Sequence, residues 1–242
     1  MKKLITGLLV AGSLSSSMAM AGKNVTVEIT NLSNALYYTP LLVSAHNKDT
    51  HVFQVGSAAS ASLQAMAEGG DISGLVTDLA SVGANNVAKP AGGLLAPGAS
   101  ATATMEINKG NRYLSITAML LPTNDGFVGS DSIKIPKRKG TYTYYLNGYD
   151  AGTEANGELI TGGGAPGVAG IPADPGGHAG MGGSGVAMAD GNTTVHIHPG
   201  NLGDNDASGG NSDLNSAVHH WLNPVAKVVI TVMDNDNEHE HD

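Results

Sequence analysis

Apolar and polar residues alternate along much of the chain with the period of two that is typical of half-buried strands. The pattern starts in "NVTVEITNLS", returns in "ASATATMEIN" and "GTYTYYLNGYD", and ends in "AKVVITVMD"; the apolar segment "RYLSITAMLLP" predicts another strand among them. Two shorter apolar runs, "YYTPLLVSAHN" and "HVFQVG", predict further strands. Turn residues separate these segments, and no strand–helix–strand series is present. The pattern therefore predicts an all-β fold, an antiparallel β-sandwich.

Three segments do not follow the strand pattern. Apolar residues between positions 60 and 80 follow helical spacing, and Gly69-Gly70 interrupts them, which predicts two short helices. Residues 108–111 predict a hairpin turn between the two strands that flank them. Residues 157–215 are rich in Gly and Pro, which predicts a long surface loop with one short strand in "TTVHIHPG".

The N-terminus has the three parts of a secretory signal peptide. Lys2 and Lys3 precede an apolar stretch, residues 4–14, and Ala19-Met20-Ala21 forms a small-residue cleavage site. We therefore expect residues 1–21 to be removed and the protein to be secreted or periplasmic in a bacterium. The folded domain then covers residues 22–235, and the polar residues 236–242 form a disordered tail. No later segment reaches the roughly 18 apolar residues that predict a transmembrane helix.

Composition and charge limit the classes of partner. The 242-residue chain has no cysteine and carries a net charge of −9 with only 12 Lys and Arg residues. Nucleic-acid-binding domains present basic surfaces, so the charge argues against a nucleic-acid partner. Without disulfides, an exported chain depends on its core or on bound ions. A negative net charge in an exported protein is consistent with high solubility or with cation binding.

Two acidic, glycine-bearing stretches follow predicted strands and suggest where a cation could bind. Asp125 lies in "PTNDGFVGSDS", whereas Asp150 and Glu154 lie in "NGYDAGTE". If the two strands are neighbours, their terminal loops converge, and carboxylate oxygens suit Ca²⁺ better than Zn²⁺ or Cu²⁺. Asp and Gly are equally common in plain turns, so spacing leaves both interpretations open. In the metal-binding interpretation, three glycines allow tight bends around the ion: Gly126, Gly129 and Gly152.

The order of motifs along the chain resembles the spondin domain, the N-terminal module of F-spondin and mindin that also occurs in bacterial secreted proteins. "VTVEITNLSN" resembles the opening strand of that family, and "ITAMLLPTNDGFVG" resembles its apolar strand that runs into P-S-P-D-W-x-V-G. "YLNGYDAGTEANGE" is similar to its W-D-A-G-T-D-S-G motif, and "NPVAKVVITV" to its closing strand. The resemblance covers nearly the whole mature chain.

The resemblance implies a C2-like β-sandwich that binds one Ca²⁺. The three carboxylate ligands of the family fall on Asp125, Asp150 and Glu154. The family's domains in animals mediate adhesion to matrix, receptors or microbial glycans. The resemblance therefore implies a non-enzymatic adhesion or ligand-binding module whose partner is an extracellular protein or glycan.

The chain departs from the family pattern in three respects. Glu154 replaces the second Asp of D-A-G-T-D, which leaves an oxygen ligand but lengthens the side chain by one methylene group. Gly126 and Tyr149 replace two Trp residues, so aromatic shielding of the site is reduced, and the family's cysteines are absent. Asp131 matches no ligand position and is interpreted as a surface residue.

Histidines give an alternative function, a periplasmic copper- or zinc-binding protein. Imidazole is a good ligand for both metals. Four of the nine histidines lie in two short segments that suit such a site: His196, His198, His219 and His220. His239 and His241 in the tail are interpreted as adventitious ligands.

An enzyme is not expected. Ser44, His46 and Asp49 are close in sequence, but no nucleophile-elbow motif accompanies them. The glycine-rich "GGGAPG" lacks the Lys-Ser/Thr of a phosphate-binding loop. These motifs therefore predict no catalytic site.

Overall fold

The computed structural model describes residues 23–187, 189 and 191–233. The predicted signal peptide, residues 1–21, and the tail with His239 and His241 lie outside the described residues. Within them, three short helices accompany ten strands. In chain order the elements are β1 Lys23–Asn31, β2 Tyr37–Tyr38, β3 Leu42–His46, α1 Ala61–Gly69, α2 Ser73–Ser81, β4 Asn85–Ala88, β5 Ser100–Ile107, β6 Tyr113–Leu121, β7 Gly126–Lys134, β8 Gly140–Asp150, β9 His196–Ile197, α3 Ser216–His219 and β10 Ala226–Met233.

The strands form one antiparallel path in the order β4-β3-β6-β7-β8-β10-β1-β5. The two edge strands of this path approach each other, because the amide N of Asn108, directly after β5, donates to Asn85 Oδ1 of β4 at 3.1 Å. The sheet thereby folds over on itself and encloses a core of aliphatic residues. The predicted all-β, antiparallel fold is confirmed.

A second apolar core lies between the helices and the sheet. Alternate residues of β6 face opposite sides, and both sides are covered. The inner set packs into the enclosed core (Leu114, Ile116, Ala118 and Leu120). The outer set, Met119 and Leu121, packs with helix residues such as Leu63 and Met66. Burial on both faces explains why β6 reads as a nearly continuous apolar run.

Two of the expectations about secondary structure are wrong. "HVFQVG" is irregular, because the amide N of Val52 donates to the Asp131 carboxylate at 3.0 Å rather than to a strand ladder. The turn at residues 108–111 joins two strands that do not pair with each other: β5 pairs with β1, whereas β6 pairs with β3 and β7. The two helices separated by Gly70 are confirmed, and Gly70 ends α1 with φ +72°.

The glycine-rich segment, residues 157–215, is cross-linked internally by two buried carboxylates. Glu158 accepts hydrogen bonds from Leu202 N at 2.6 Å, Gly203 N at 2.8 Å and Ser212 Oγ at 2.6 Å. Asp213 accepts from Ile160 N at 2.8 Å, and also from Gly183 N. Acidic side chains thus replace the apolar contacts that this segment lacks, because each satisfies several backbone donors at once.

No helix within residues 23–187 or 191–233 has the length and apolarity required to span a membrane.

Candidate metal centre

Two of the predicted ligands meet at one end of the paired strands β7 and β8. Asp125 directly precedes β7, and Asp150 ends β8. Gly126 lies opposite Asp150 in the antiparallel register, and the amide N of Ala151 donates to the carbonyl O of Asp125 at 3.3 Å. Both carboxylates have no solvent exposure. The pairing of β7 with β8 therefore brings the two acidic stretches together. The two strands expected to do this, β6 and β8, do not pair, because β7 lies between them.

The loop after β8 wraps around the Asp125 side chain. Asp125 Oδ2 accepts from Thr153 N at 2.8 Å, Thr153 Oγ1 at 3.1 Å and Glu154 N at 3.1 Å. The other oxygen, Oδ1, is buried and has no hydrogen-bond partner among the described residues. An unsatisfied buried carboxylate oxygen is costly. Buried charged groups in proteins are normally paired or coordinate a metal.

Asp150 shapes the turn that follows it. Its Oδ1 accepts from Gly152 N and its Oδ2 from Asn156 Nδ2, both at 2.7 Å. Gly152 has φ +69°, and a Cβ there would lie 2.6 Å from Thr194 N, so the turn requires glycine. The two other glycines expected to bend around an ion, Gly126 and Gly129, lie in β7 and have no positive φ.

Electrostatics at the pair favour binding of positive charge. Burial, and then the negative charge of Asp150, raise the pKa of Asp125 to about 7, against the hydrogen bonds from Thr153 and Glu154 that lower it. His196 Nδ1 lies 3.8 Å from Asp150 Oδ1. That ring nitrogen also lies 2.8 Å from the carbonyl O of Thr194, to which it donates its proton. Two buried carboxylates thus share one small region.

Glu154 is directed towards the glycine-rich segment. Its Oε1 accepts from Asn124 Nδ2 at 2.9 Å and from the amide N of Gly170. Its Oε2 is buried without a hydrogen-bond partner in the described part of the chain. Burial raises the pKa of Glu154. Among the described residues, no group of three or more His, Cys, Asp or Glu side chains has a metal-binding arrangement.

Asp131 has a different role from the one expected. It lies in β7 with a side chain that is 17% exposed, and it pairs with His51 Nδ1 at 2.5 Å. Its Oδ1 also accepts from Val52 N at 3.0 Å. Asp131 is therefore not a free surface residue, because it fixes the segment before α1 to the sheet.

In two of the four histidines of the alternative metal site, neither ring nitrogen can bind a metal. Nδ1 of His198 accepts from Gly200 N at 2.9 Å, and Nδ1 of His219 accepts from Asn215 N at 3.0 Å. A neutral imidazole with an accepting Nδ1 holds its proton on Nε2. Neither ring nitrogen then offers a lone pair to Cu²⁺ or Zn²⁺.

The other two histidines have the opposite tautomer. His196 Nδ1 donates to Thr194 O, and His220 Nδ1 donates to Asn201 O, each at 2.8 Å. Their Nε2 atoms are therefore acceptors in the neutral form. Two such nitrogens are fewer than the three protein ligands that even an open zinc site normally has.

Ser44 and His46 do not form a pair. Ser44 Oγ donates to Asn86 Oδ1 at 2.6 Å, whereas His46 Nε2 lies 2.8 Å from Ser115 Oγ. His46 and Ser115 are at most 1% exposed, so a substrate cannot reach them without a rearrangement of the sheet. Burial also lowers the pKa of His46.

Comparison with known families identifies the chain. The family model Spondin_N matches residues 30–159, which is more than half of the sequence. This protein belongs to the Spondin_N family. The match includes Asp125, Asp150 and Glu154 and ends where the glycine-rich segment begins. No curated protein matches the chain.

The side chains that support the two acids are not evident from the sequence. Thr153 and Asn156 lie in the "DAGTEAN" stretch, but Thr153 contacts Asp125 across 28 positions and Asn156 contacts Asp150 through its side chain. Neither contact is the local Asx turn that Asp150 Oδ1 forms with Gly152 N. Asn124 and Gly170 are different, because Gly170 is distant in sequence and meets Glu154 only through the path of the glycine-rich segment.

Proposed function

We propose that this chain is an exported, non-enzymatic Spondin_N module that binds Ca²⁺ through Asp125, Asp150 and Glu154. The observation that carries the proposal is the buried Asp125–Asp150 pair at the joined ends of β7 and β8. Like charges in a low-dielectric site repel each other unless a proton or a cation neutralises one of them. A divalent cation would neutralise both.

The donor set suits a hard ion. Asp125 Oδ1 and Glu154 Oε2 are the two carboxylate oxygens here that lack a hydrogen-bond partner within the described residues. Asp150 adds a third carboxylate, and backbone carbonyls and water complete a shell of six to eight oxygens. Extracellular calcium modules bind with dissociation constants of roughly 10⁻⁴ to 10⁻³ M, and we expect this range.

The bound ion would organise a surface for another molecule. Asp125 and Asp150 already gather the amides of residues 152–154, and Glu154 connects that loop to Gly170. A cation at this point would make both loops more rigid, which lowers the entropic cost of binding a partner. Membership of the Spondin_N family favours an extracellular protein or glycan as that partner.

Isothermal titration calorimetry with Ca²⁺, Mg²⁺, Zn²⁺ and Cu²⁺ tests the metal. We expect Ca²⁺ binding in the wild type, its loss in Asp150→Ala, and wild-type binding in Asp49→Ala, which removes a side chain that is 77% exposed. Absence of Ca²⁺ binding at 10 mM would overturn the proposal. Tight Cu²⁺ binding that is lost in His196→Ala would support the copper or zinc alternative instead.

The partner is tested on glycan and matrix-protein arrays with Ca²⁺ and with chelator. We expect binding that depends on Ca²⁺ and is lost in Asp150→Ala. Binding that is equal in both conditions would show that the ion does not organise the recognition surface.

A further inference from the structure

Lys and Arg side chains are concentrated at one end of this acidic protein. Residues 107–124 and 132–149 contain no Asp or Glu, although the chain as a whole has a net charge of −9. Six of its 12 Lys and Arg residues lie in these two stretches, and all six are exposed: Lys109, Arg112, Lys134, Lys137, Arg138 and Lys139. These six residues, together with Lys23, form the basic end of the molecule.

Contacts between three separate elements assemble the basic end. The amide N of Ile135 donates to the carbonyl O of Arg112 at 2.9 Å, which joins the turn after β7 to the turn before β6. Lys23 Nζ, at the start of β1, donates to the carbonyl O of Pro136 at 3.3 Å and to that of Lys137. Cations that are far apart in sequence therefore meet at one end of the sheet.

The positive charge of the basic end is not neutralised by neighbouring acids. Five of its exposed cations form no salt bridge with a carboxylate of the described residues: Lys109, Arg112, Lys134, Lys137 and Arg138. Of the exposed acids nearby, Glu106 lies near the end of β5, and Asp49 pairs with Lys48 at 2.9 Å. Clustered like charges repel each other, and an anionic partner would relieve that repulsion.

We propose that the basic end binds the surface of an anionic phospholipid bilayer. Each Lys or Arg near such a surface contributes about 1 kcal/mol, or about fivefold in affinity. Three elements supply the cations, so these do not form a single row along one strand. A bilayer presents anionic headgroups in two dimensions and can contact all three elements together. Residues 107–113 and 134–140 expose no large apolar side chain, so we expect the protein to lie on the headgroups without insertion.

Binding at the basic end would fix the orientation of the molecule. β7 runs from Gly126, beside the proposed metal centre, to Lys134 at the basic end, and its nine residues span roughly 30 Å. The bilayer repels the acidic remainder of the surface. The metal centre would therefore face away from the lipid, although the inference itself does not depend on Ca²⁺ binding.

Cosedimentation with lipid vesicles in the presence of a chelator tests the proposal. The chelator excludes Ca²⁺ bridges between protein carboxylates and lipid phosphates. We expect binding to vesicles of phosphatidylglycerol and phosphatidylcholine in equal parts, and none to phosphatidylcholine alone. A change from 0.1 M to 1 M NaCl shortens the Debye length from about 10 Å to about 3 Å and should release the protein. Equal binding to both kinds of vesicle would overturn the proposal.

Two double variants with the same change in net charge locate the surface. Lys137→Gln with Arg138→Gln removes two charges from the basic end and should weaken vesicle binding roughly 30-fold. Lys89→Gln with Lys227→Gln is the matched control, because Lys89 N donates to Leu41 O and Lys227 pairs with Thr30, both at the other end of the strands. The control should bind nearly as the wild type does. Equal weakening in both double variants would show that net charge, and not the basic end, controls binding.

Single fluorescent labels test the orientation, because the chain has no cysteine of its own. Gly110 lies in the turn before β6, whereas Gly93 lies near Leu95, which pairs with Tyr38 at the other end of the molecule. Both glycines have open space around a new Cβ. Nitroxide-labelled lipid headgroups should quench a label on Gly110→Cys and leave one on Gly93→Cys unquenched. Equal quenching would contradict attachment through the basic end.

Heparin, a soluble linear polyanion, tests the other class of partner. Binding to heparin without binding to the anionic vesicles would assign the basic end to a polymer and would overturn the membrane proposal. Absence of vesicle binding leaves the Ca²⁺ proposal unaffected, because the metal centre lies at the opposite end of β7 and is measured by calorimetry without lipid.

Discussion

Asp125 combines complete burial with a carboxylate oxygen that accepts no hydrogen bond from the described residues. Its pKa rises from 3.8 to about 7, first because of burial and then because of Asp150. Between about pH 4 and pH 7 the folded protein therefore keeps a proton that the unfolded chain has lost. Stability falls as the pH rises through this window, because the folded state binds more protons there.

The first prediction concerns Asp125→Asn in the metal-free protein. Because Asn cannot ionise, the variant should not lose stability between about pH 4 and pH 7. The wild type should lose at most about 4 kcal/mol in this range, which corresponds to three pKa units. Urea unfolding at several pH values in metal-free buffer measures the difference from the wild type. Asp49→Asn changes an exposed side chain and is the control, so its stability should depend on pH as that of the wild type does. Identical pH profiles for wild type and Asp125→Asn would contradict the assignment.

At the scale of elements, Glu158 connects the start of the glycine-rich segment to its end. The residue is 5% exposed and has φ +55°, a left-handed conformation that is uncommon for a side-chain-bearing residue. Its three hydrogen bonds reach Leu202, Gly203 and Ser212. These contacts span more than forty positions, so one carboxylate closes a long loop.

The second prediction is that Glu158→Gln loosens this segment. The amide nitrogen of Gln cannot accept a hydrogen bond, so at least one of the three donors loses its partner. We expect the free energy of unfolding to fall by about 1–3 kcal/mol. Amide hydrogen exchange should become faster at Leu202 and Gly203, and limited proteolysis should cut within residues 157–215. Glu28→Gln on the exposed face of β1 is the matched control. Unchanged exchange at both amides would argue against an anchoring role.

The third prediction concerns the close approach of β8 and Trp221. A Cβ at Gly148 would lie 2.5 Å from Trp221 Cη2, and Trp221 is part of the enclosed core. Gly148→Ala should therefore destabilise the protein by about 1–3 kcal/mol, as overpacking usually does. Fluorescence of Trp221, the single tryptophan of the sequence, reports the unfolding in urea. Gly93→Ala has open space around the new methyl group and should change stability little or increase it.

The sequence predicts the strands with one more exposed face better than the strands that are buried on both faces. β1, β5, β8 and β10 alternate buried with more exposed residues, so their period of two is visible. β7 was missed as a strand: Gly126 to Ser130 are all buried, and two of these residues are glycines that normally indicate turns. The glycines are required by packing, because a Cβ at Gly129 would lie 2.9 Å from the Phe53 ring.

The meeting of Asp125 and Asp150 was predictable only in part. Asp125 precedes β7 and Asp150 ends β8, and the pairing of these two strands, of which only β8 was predicted, brings the two residues together. The direction of the Glu154 side chain was not predictable, because it depends on Gly170 and on the path of the glycine-rich segment. The anchoring carboxylates Glu158 and Asp213 were also unpredictable, since an isolated acidic residue in a polar stretch usually indicates a solvated loop.

At the scale of the whole molecule, the proposed metal centre lies at the common end of two strands that pack between the two cores. β7 and β8 are central in the sheet order, with Val128 in the enclosed core and Phe127 in the core beneath the helices. Loss of order at their common end therefore affects both cores. A ligand that binds only the folded state stabilises the entire domain by mass action, wherever it binds.

The fourth prediction is a global increase in stability with Ca²⁺. For dissociation constants of 10⁻⁴ to 10⁻³ M, 10 mM Ca²⁺ should add about 1.4–2.7 kcal/mol. For a chain of this size, that corresponds to an increase in Tm of about 3–10 °C. Thermal unfolding followed by Trp221 fluorescence should show the increase in the wild type and in Asp49→Asn, but not in Asp150→Asn. Mg²⁺ at the same concentration separates specific binding from screening of the net charge of −9. An equal increase with Mg²⁺, or an increase that survives in Asp150→Asn, would place the effect away from the paired carboxylates.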